Sequence, residues 1–150
     1  MVYDPQVGNG KQRTYFIEPD TIVIEFEGVV LPEEGAEICR RHEAWAPGRP
    51  RVFIMVDAAK LERIDPDVRR MANESMQRMP MRGLTVHSAP LKARMIIKLL
   101  FTAFRLFSKQ ADLAPLSYFN TREESLAWIA SRRATLEAEA KAAGAATASA

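Results

Sequence analysis

The chain has a single cysteine, Cys39, so no disulfide can form within it. None is needed, since a domain near this length buries roughly 68–70% of its unfolded surface without covalent help. A reducing, cytoplasmic setting is the expectation. Histidine is equally scarce. His42 and His87 lie far apart and no paired Cys or His spacing accompanies them, so no metal site is expected. There is no glycine-rich phosphate loop, and Ser88 lacks the Gly-x-Ser-x-Gly context of a nucleophile elbow. No cofactor is implied. No long unbroken apolar run exists, so no membrane-spanning helix is expected. The opening residues, MVYDPQVGNGKQR, have no apolar core, which speaks against a secretory signal. Charge of one sign is lacking too: 21 basic against 19 acidic residues leave +2, too balanced to argue for nucleic acid.

What the chain does have is an apolar run, Val52, Phe53, Ile54, Met55 and Val56, with no polar residue in it. Such a run suits a central parallel strand buried on both faces. Asp57 is expected to end it. Ile64-Asp65-Pro66-Asp67 then reads as a helix start, with Asp65 as cap, Pro66 in the first helical position and Asp67 near the positive helix end.

Around this centre the elements follow in order. Residues 1–13, with Pro5, Gly8 and Gly10, read as a loose arm. Residues 14–17 and 21–27 read as a hairpin across the turn Glu18-Pro19-Asp20, with Gly28 ending its second strand. Helices are expected over 32–46, 66–79, 91–109 and from Thr121, where Thr-x-x-Glu has capping-box spacing. Short strands are expected at 84–87 and 116–119. The fold class is therefore α/β: a mixed sheet with an N-terminal hairpin, parallel central strands and about four helices. The domain should span 14–133, followed over 134–150 by an alanine-rich helical extension that gives way to disorder after Gly144. Right-handed crossovers would bring Asp57 and His87 to one sheet edge, where open α/β sheets hold ligands.

The helix over 91–109 carries more apolar surface than a sheet contact uses. At 100° per residue, Arg94, Lys98, Arg105 and Lys109 share one narrow face. The apolar residues, Ile97, Phe101 and Phe104 among them, cover an arc of about 240°, against roughly 100° needed for docking. The surplus can pack on neighbouring helices, meet a protein partner or a second copy of the chain, or line an apolar pocket. The basic stripe beside it suits an anionic headgroup or a membrane surface. Elsewhere the polar candidates are ambiguous. Asp57 can bind a partner or shape its loop, and His87 beside it can do acid–base work or be solvated. His42 and Cys39 read as core or boundary residues.

Four stretches carry a resemblance: residues 22–28 (IVIEFEG), 52–57, Ile64-Asp65-Pro66-Asp67, and residues 118–129 (YFNTREESLAWI). In these and in element order the chain resembles the SpoIIAA-like (STAS/SEC14-like) family, related to anti-anti-sigma factors. The resemblance implies a non-enzymatic regulatory or scaffolding module that works through protein contacts. Asp67 stands about where anti-anti-sigma proteins carry a phosphorylated serine, so the switch itself is missing. Asp67 then supplies either a constant negative charge or simply a helix-start acid. The contact surface expected from the residues is Asp57, Asp65, Asp67, Val68 and His87 with the 91–109 helix, namely Arg94, Ile97, Lys98, Phe101, Phe104 and Arg105. The alternative reading is a lipid or other apolar molecule held in a pocket under that helix. A hydrolase built on Asp57 and His87 is the remote one.

Overall fold

Thirteen residues, Val52–Ile64, form one strand, β4, at the centre of the molecule. In the computed structural model, which describes residues 4–8 and 11–148, its first five residues are at most 4% exposed. Burial alternates between two sides. Ile54 and Val56 enter one cluster, while Phe53 and Met55 enter another.

The chain runs β1 (Gln6–Val7), β2 (Gln12–Ile17), β3 (Thr21–Val30), α1 (Pro32–Trp45), β4, α2 (Pro66–Gln77), β5 (Met81–His87), α3 (Leu91–Phe107), a 3-10 turn (Ala111–Leu113), β6 (Leu116–Phe119) and α4 (Arg122–Ala148). The six strands lie in sequence order in one sheet. β1, β2 and β3 are antiparallel neighbours, and β3 to β6 are parallel. α1, α2 and α3 each cross between adjacent parallel strands and all pack on one face, as repeated crossovers of one hand require. α4 covers the other face with Leu126, Trp128, Ile129 and Leu136. The α/β class, the mixed sheet and the four helices match the sequence reading, while β1 adds a sixth strand to the five expected.

Several boundaries differ from that reading, and β5 begins at Met81, three residues earlier than expected. β4 does not stop at Asp57, and β3 does not stop at Gly28. The two strands run on together past the end of β5, with register shifts near Glu25–Glu27 and Gly28–Val29. The shifts break the alternation, so Ala58, Leu61 and Ile64 are the buried residues of β4 in this stretch. Three-residue spacing does not read as a strand. Gly28 accommodates the irregularity with φ +68, which a side chain would resist. Part of the expected loose arm is also paired, as β1 and the start of β2, while residues 1–3, 9 and 10 lie outside the described residues. At the other end α4 is helical through Gly144 to Ala148, where the sequence suggested disorder. Alanine keeps it helical with almost nothing to pack against.

Local chemistry starts the helices as expected. The Asp65 carboxylate accepts the Asp67 amide at 2.9 Å, and Thr121 Oγ1 accepts the Glu124 amide at 3.2 Å. Gly83 lets α4 approach β5, because a Cβ there would lie 2.8 Å from the Trp128 ring.

The β2–β3 turn is tied to α4 by a two-pronged ion pair. Arg133 Nε and Nη2 donate to the two oxygens of Asp20 at 2.8 and 2.7 Å. Asp20 is 2% exposed, and besides Arg133 the Thr21 hydroxyl donates to its Oδ1 at 3.1 Å, so Arg133 supplies the only charge that balances the carboxylate there. Arg133→Ala is expected to cost about 3 kcal/mol in urea unfolding, because it strands that carboxylate. A loss below about 0.5 kcal/mol, the usual range for surface changes, would show that the clamp contributes nothing.

Candidate functional site

Asp57 and His87 are direct cross-strand neighbours on β4 and β5, as the topology argument requires. Asp57 Oδ1 accepts the Ala59 amide at 3.0 Å, which shapes the irregular stretch of β4. His87 is 4% exposed, and Ser88 beside it has φ +59. Ser88 Oγ donates its one proton to the Asn120 carbonyl at 3.2 Å. With that proton on the Asn120 carbonyl, the 3.0 Å contact between Ser88 Oγ and His87 Nδ1 is donated by Nδ1–H. A general base would need the reverse arrangement, a bare nitrogen facing the hydroxyl. The other nitrogen, Nε2, is buried with no protein partner. Burial holds the His87 pKa below its usual value, so the ring is neutral at pH 7. Nearby, Glu25 accepts from Arg13 at 2.9 Å and from the Tyr15 hydroxyl at 3.1 Å, while Arg122 donates to that hydroxyl at 2.7 Å. Burial, and then the Glu25 charge, raise the Tyr15 pKa.

At the start of α2 the residues serve the helix. Asp65 is the cap. Asp67 is exposed, with Arg70 at 3.7 Å. Val68 is buried and faces α1 so closely that a Cβ on Gly35 would lie 2.7 Å from its methyl groups. Val68 is therefore core rather than contact surface.

On α3 the residues divide differently from the sequence reading. Ile97, Phe101 and Phe104 are at most 3% exposed and, with Ala93, form the inward face. They cannot meet an outside partner, and this corrects the expected contact set. The outward apolar residues are Leu91, Met95, Leu99, Leu106 and Phe107, between 56% and 76% exposed. Among the described residues seven large apolar side chains are exposed, and these five share one helix. Arg94 is partly buried: its Nε donates to the Ala89 carbonyl at 3.1 Å and its guanidinium lies 5.6 Å from the Tyr118 ring centre. Lys92, Lys98 and Arg105 are exposed, and α3 contains no acidic residue. The outward set was missed because a 240° apolar arc does not say which part faces the sheet. The usable signal was the place of the basic stripe, which flanks the inward face instead of opposing it.

Under α1, α2 and α3 lies an apolar cavity of about 70 Å³, lined in part by Ile38, His42, Val68, Ser75, Ile97 and Leu100. Small-molecule sites run to about 300 Å³ or more, so this cavity is well below that size. His42, on its wall, is 3% exposed. Its Nε2 meets Thr14 Oγ1 at 2.8 Å, and that hydroxyl donates to the Val23 carbonyl at 2.9 Å, so Nε2 carries the hydrogen.

Among the described residues no three His, Cys, Asp or Glu side chains gather as metal ligands, and no helix is long and apolar enough to cross a membrane. Comparison with protein-family models, curated proteins and solved structures gives no match to the chain.

Two outcomes follow. Phe104→Ala is expected to destabilise by about 3–5 kcal/mol, whereas Leu99→Glu stays within about 0.5 kcal/mol, both measured by urea unfolding. Burial lowers the His42 pKa from its ordinary 6.5 to about 3. The unfolded chain then binds a proton below pH 6.5 that the folded chain refuses until about pH 3, so stability falls as pH falls through that window. The slope is about 1.4 kcal/mol per pH unit at most. His42→Phe should remove that share of the slope between pH 6 and 4, and an unchanged slope would contradict the assignment.

Proposed function

We propose that this protein is a non-enzymatic, STAS-like regulatory or scaffolding module of the cytoplasm that acts by docking through the outer face of α3. The observation behind this is the exposure of Leu91, Met95, Leu99, Leu106 and Phe107 along one helix of an otherwise well-covered fold. Large apolar chains grouped on one face mark an interaction site more often than scattered ones do. The order of elements, hairpin first and then alternating helices and parallel strands, is what the SpoIIAA-like resemblance implies. In this reading Asp67 is a permanent acid where relatives of that kind carry a switch serine. Regulation would then come from what occupies α3 and not from phosphorylation at α2. The sheet edge at Asp57 and His87 serves the structure: one carboxylate oxygen is committed to a backbone amide, and the imidazole is covered.

The test is protection inside cells. In a Cys39→Ser background, Leu99→Cys reports the outer face of α3 and Ala138→Cys reports the exposed part of α4 on the opposite side. A membrane-permeant maleimide should label Leu99→Cys several-fold more slowly in cells than in purified protein, with Ala138→Cys unchanged. Equal rates at the two positions in cells and in solution would remove the docking reading.

A further inference from the structure

We infer that the surface α3 docks on is an anionic lipid surface, with the helix lying in the plane of the interface. This rests on the docking reading above and names its partner. α3 has 17 residues, about 25 Å of helix. Its outward residues Leu91, Met95, Leu99 and Leu106 fall within about 80° of one another at 100° per residue. They form a ridge along the full length of the helix. The cations Lys98 and Arg105 border this ridge on one side and Lys92 on the other, all of them exposed. Lys92, Lys98 and Arg105 make no ion pair among the described residues, and α3 has no acid to offset them. Leu and Met on the outer face with lysine and arginine at the margins is the pattern of a helix that sinks its apolar side to acyl depth and leaves its charges among headgroups.

Charge and shape select this occupant over others. A second copy of the chain would bring two acid-free basic helices together, and like charges across an interface repel. The ridge is convex, standing out from the layer on Ala93, Ile97, Phe101 and Phe104. It offers no groove for a helical peptide. A soft apolar medium with a negative skin meets both requirements. The inward face is already buried, so docking needs no opening of the core. α4 lies on the far side of the sheet and does not obstruct approach.

The experiment is sedimentation of the full chain with vesicles of phosphatidylcholine alone and with an equal part of phosphatidylglycerol. The phosphatidylglycerol vesicles should carry down the protein and pure phosphatidylcholine should carry far less. Each exposed cation near an anionic surface is worth roughly a five-fold change in partitioning. Lys98→Glu with Arg105→Glu should therefore weaken binding by well over ten-fold, as should Leu99→Glu with Met95→Glu. Thermal unfolding of both variants should match the parent, which separates lost docking from lost folding. Raised salt should release the protein. If neither vesicle binds at low salt, or if binding survives Leu99→Glu with Met95→Glu, the lipid assignment is wrong. Absent vesicle binding with Leu99→Cys still protected in cells would leave docking intact and transfer it to an acidic protein partner. Absent binding with no protection would overturn both.

Discussion

Val52 to Val56 leave β4 no side for water, and the rest of the molecule is arranged around that constraint. A strand buried on both faces needs a neighbour along each edge and a layer on each side. β3 and β5 supply the edges. Three helices cover Ile54 and Val56, and α4 covers Phe53 and Met55. The two sides are unequal. Three helices on one face bury a large cluster, while a single helix on the other leaves the far ends of the strands open. Glu25, Asp57 and the Tyr15–Arg122 pair occupy that uncovered part, where charge is tolerated.

The unequal cover also explains where strong polar contacts sit. Arg133 grips Asp20 where α4 meets the turn between β2 and β3. On the thick side Glu34 Oε2 and Ser75 Oγ have no protein hydrogen-bond partner, while some buried polar groups are satisfied locally. His42, Thr14 and the Val23 carbonyl form one such chain. Tight packing limits substitution there: the Val68 side chain lies against Gly35 and leaves no room for a methyl group between α1 and α2.

Much of this was legible in the residues, because apolar runs and helix starts are local signals. The buried run of β4, the Asp65 cap and the Thr121 capping box were each visible in a few neighbouring letters. What stayed hidden depended on distance. The continuation of β3 and β4 past Gly28 and Asp57 follows from a register shift between two strands, which neither strand's pattern records. The orientation of α3 was hidden for a related reason. Phe101 looks as ready for a partner as Leu99, and only the position of the sheet assigns one inward and the other outward. The sequence therefore left the buried and the exposed apolar residues of α3 undistinguished.

The whole chain carries +2, yet α3 alone holds four cations and no anion, so everything outside that helix sums to a small negative charge. A nearly neutral total thus conceals a separation of charge across the molecule. In an external field from a negative body such a molecule turns before it touches, presenting the positive flank first. Orientation on approach would then be settled by electrostatics at a distance, leaving the apolar ridge to act only after contact.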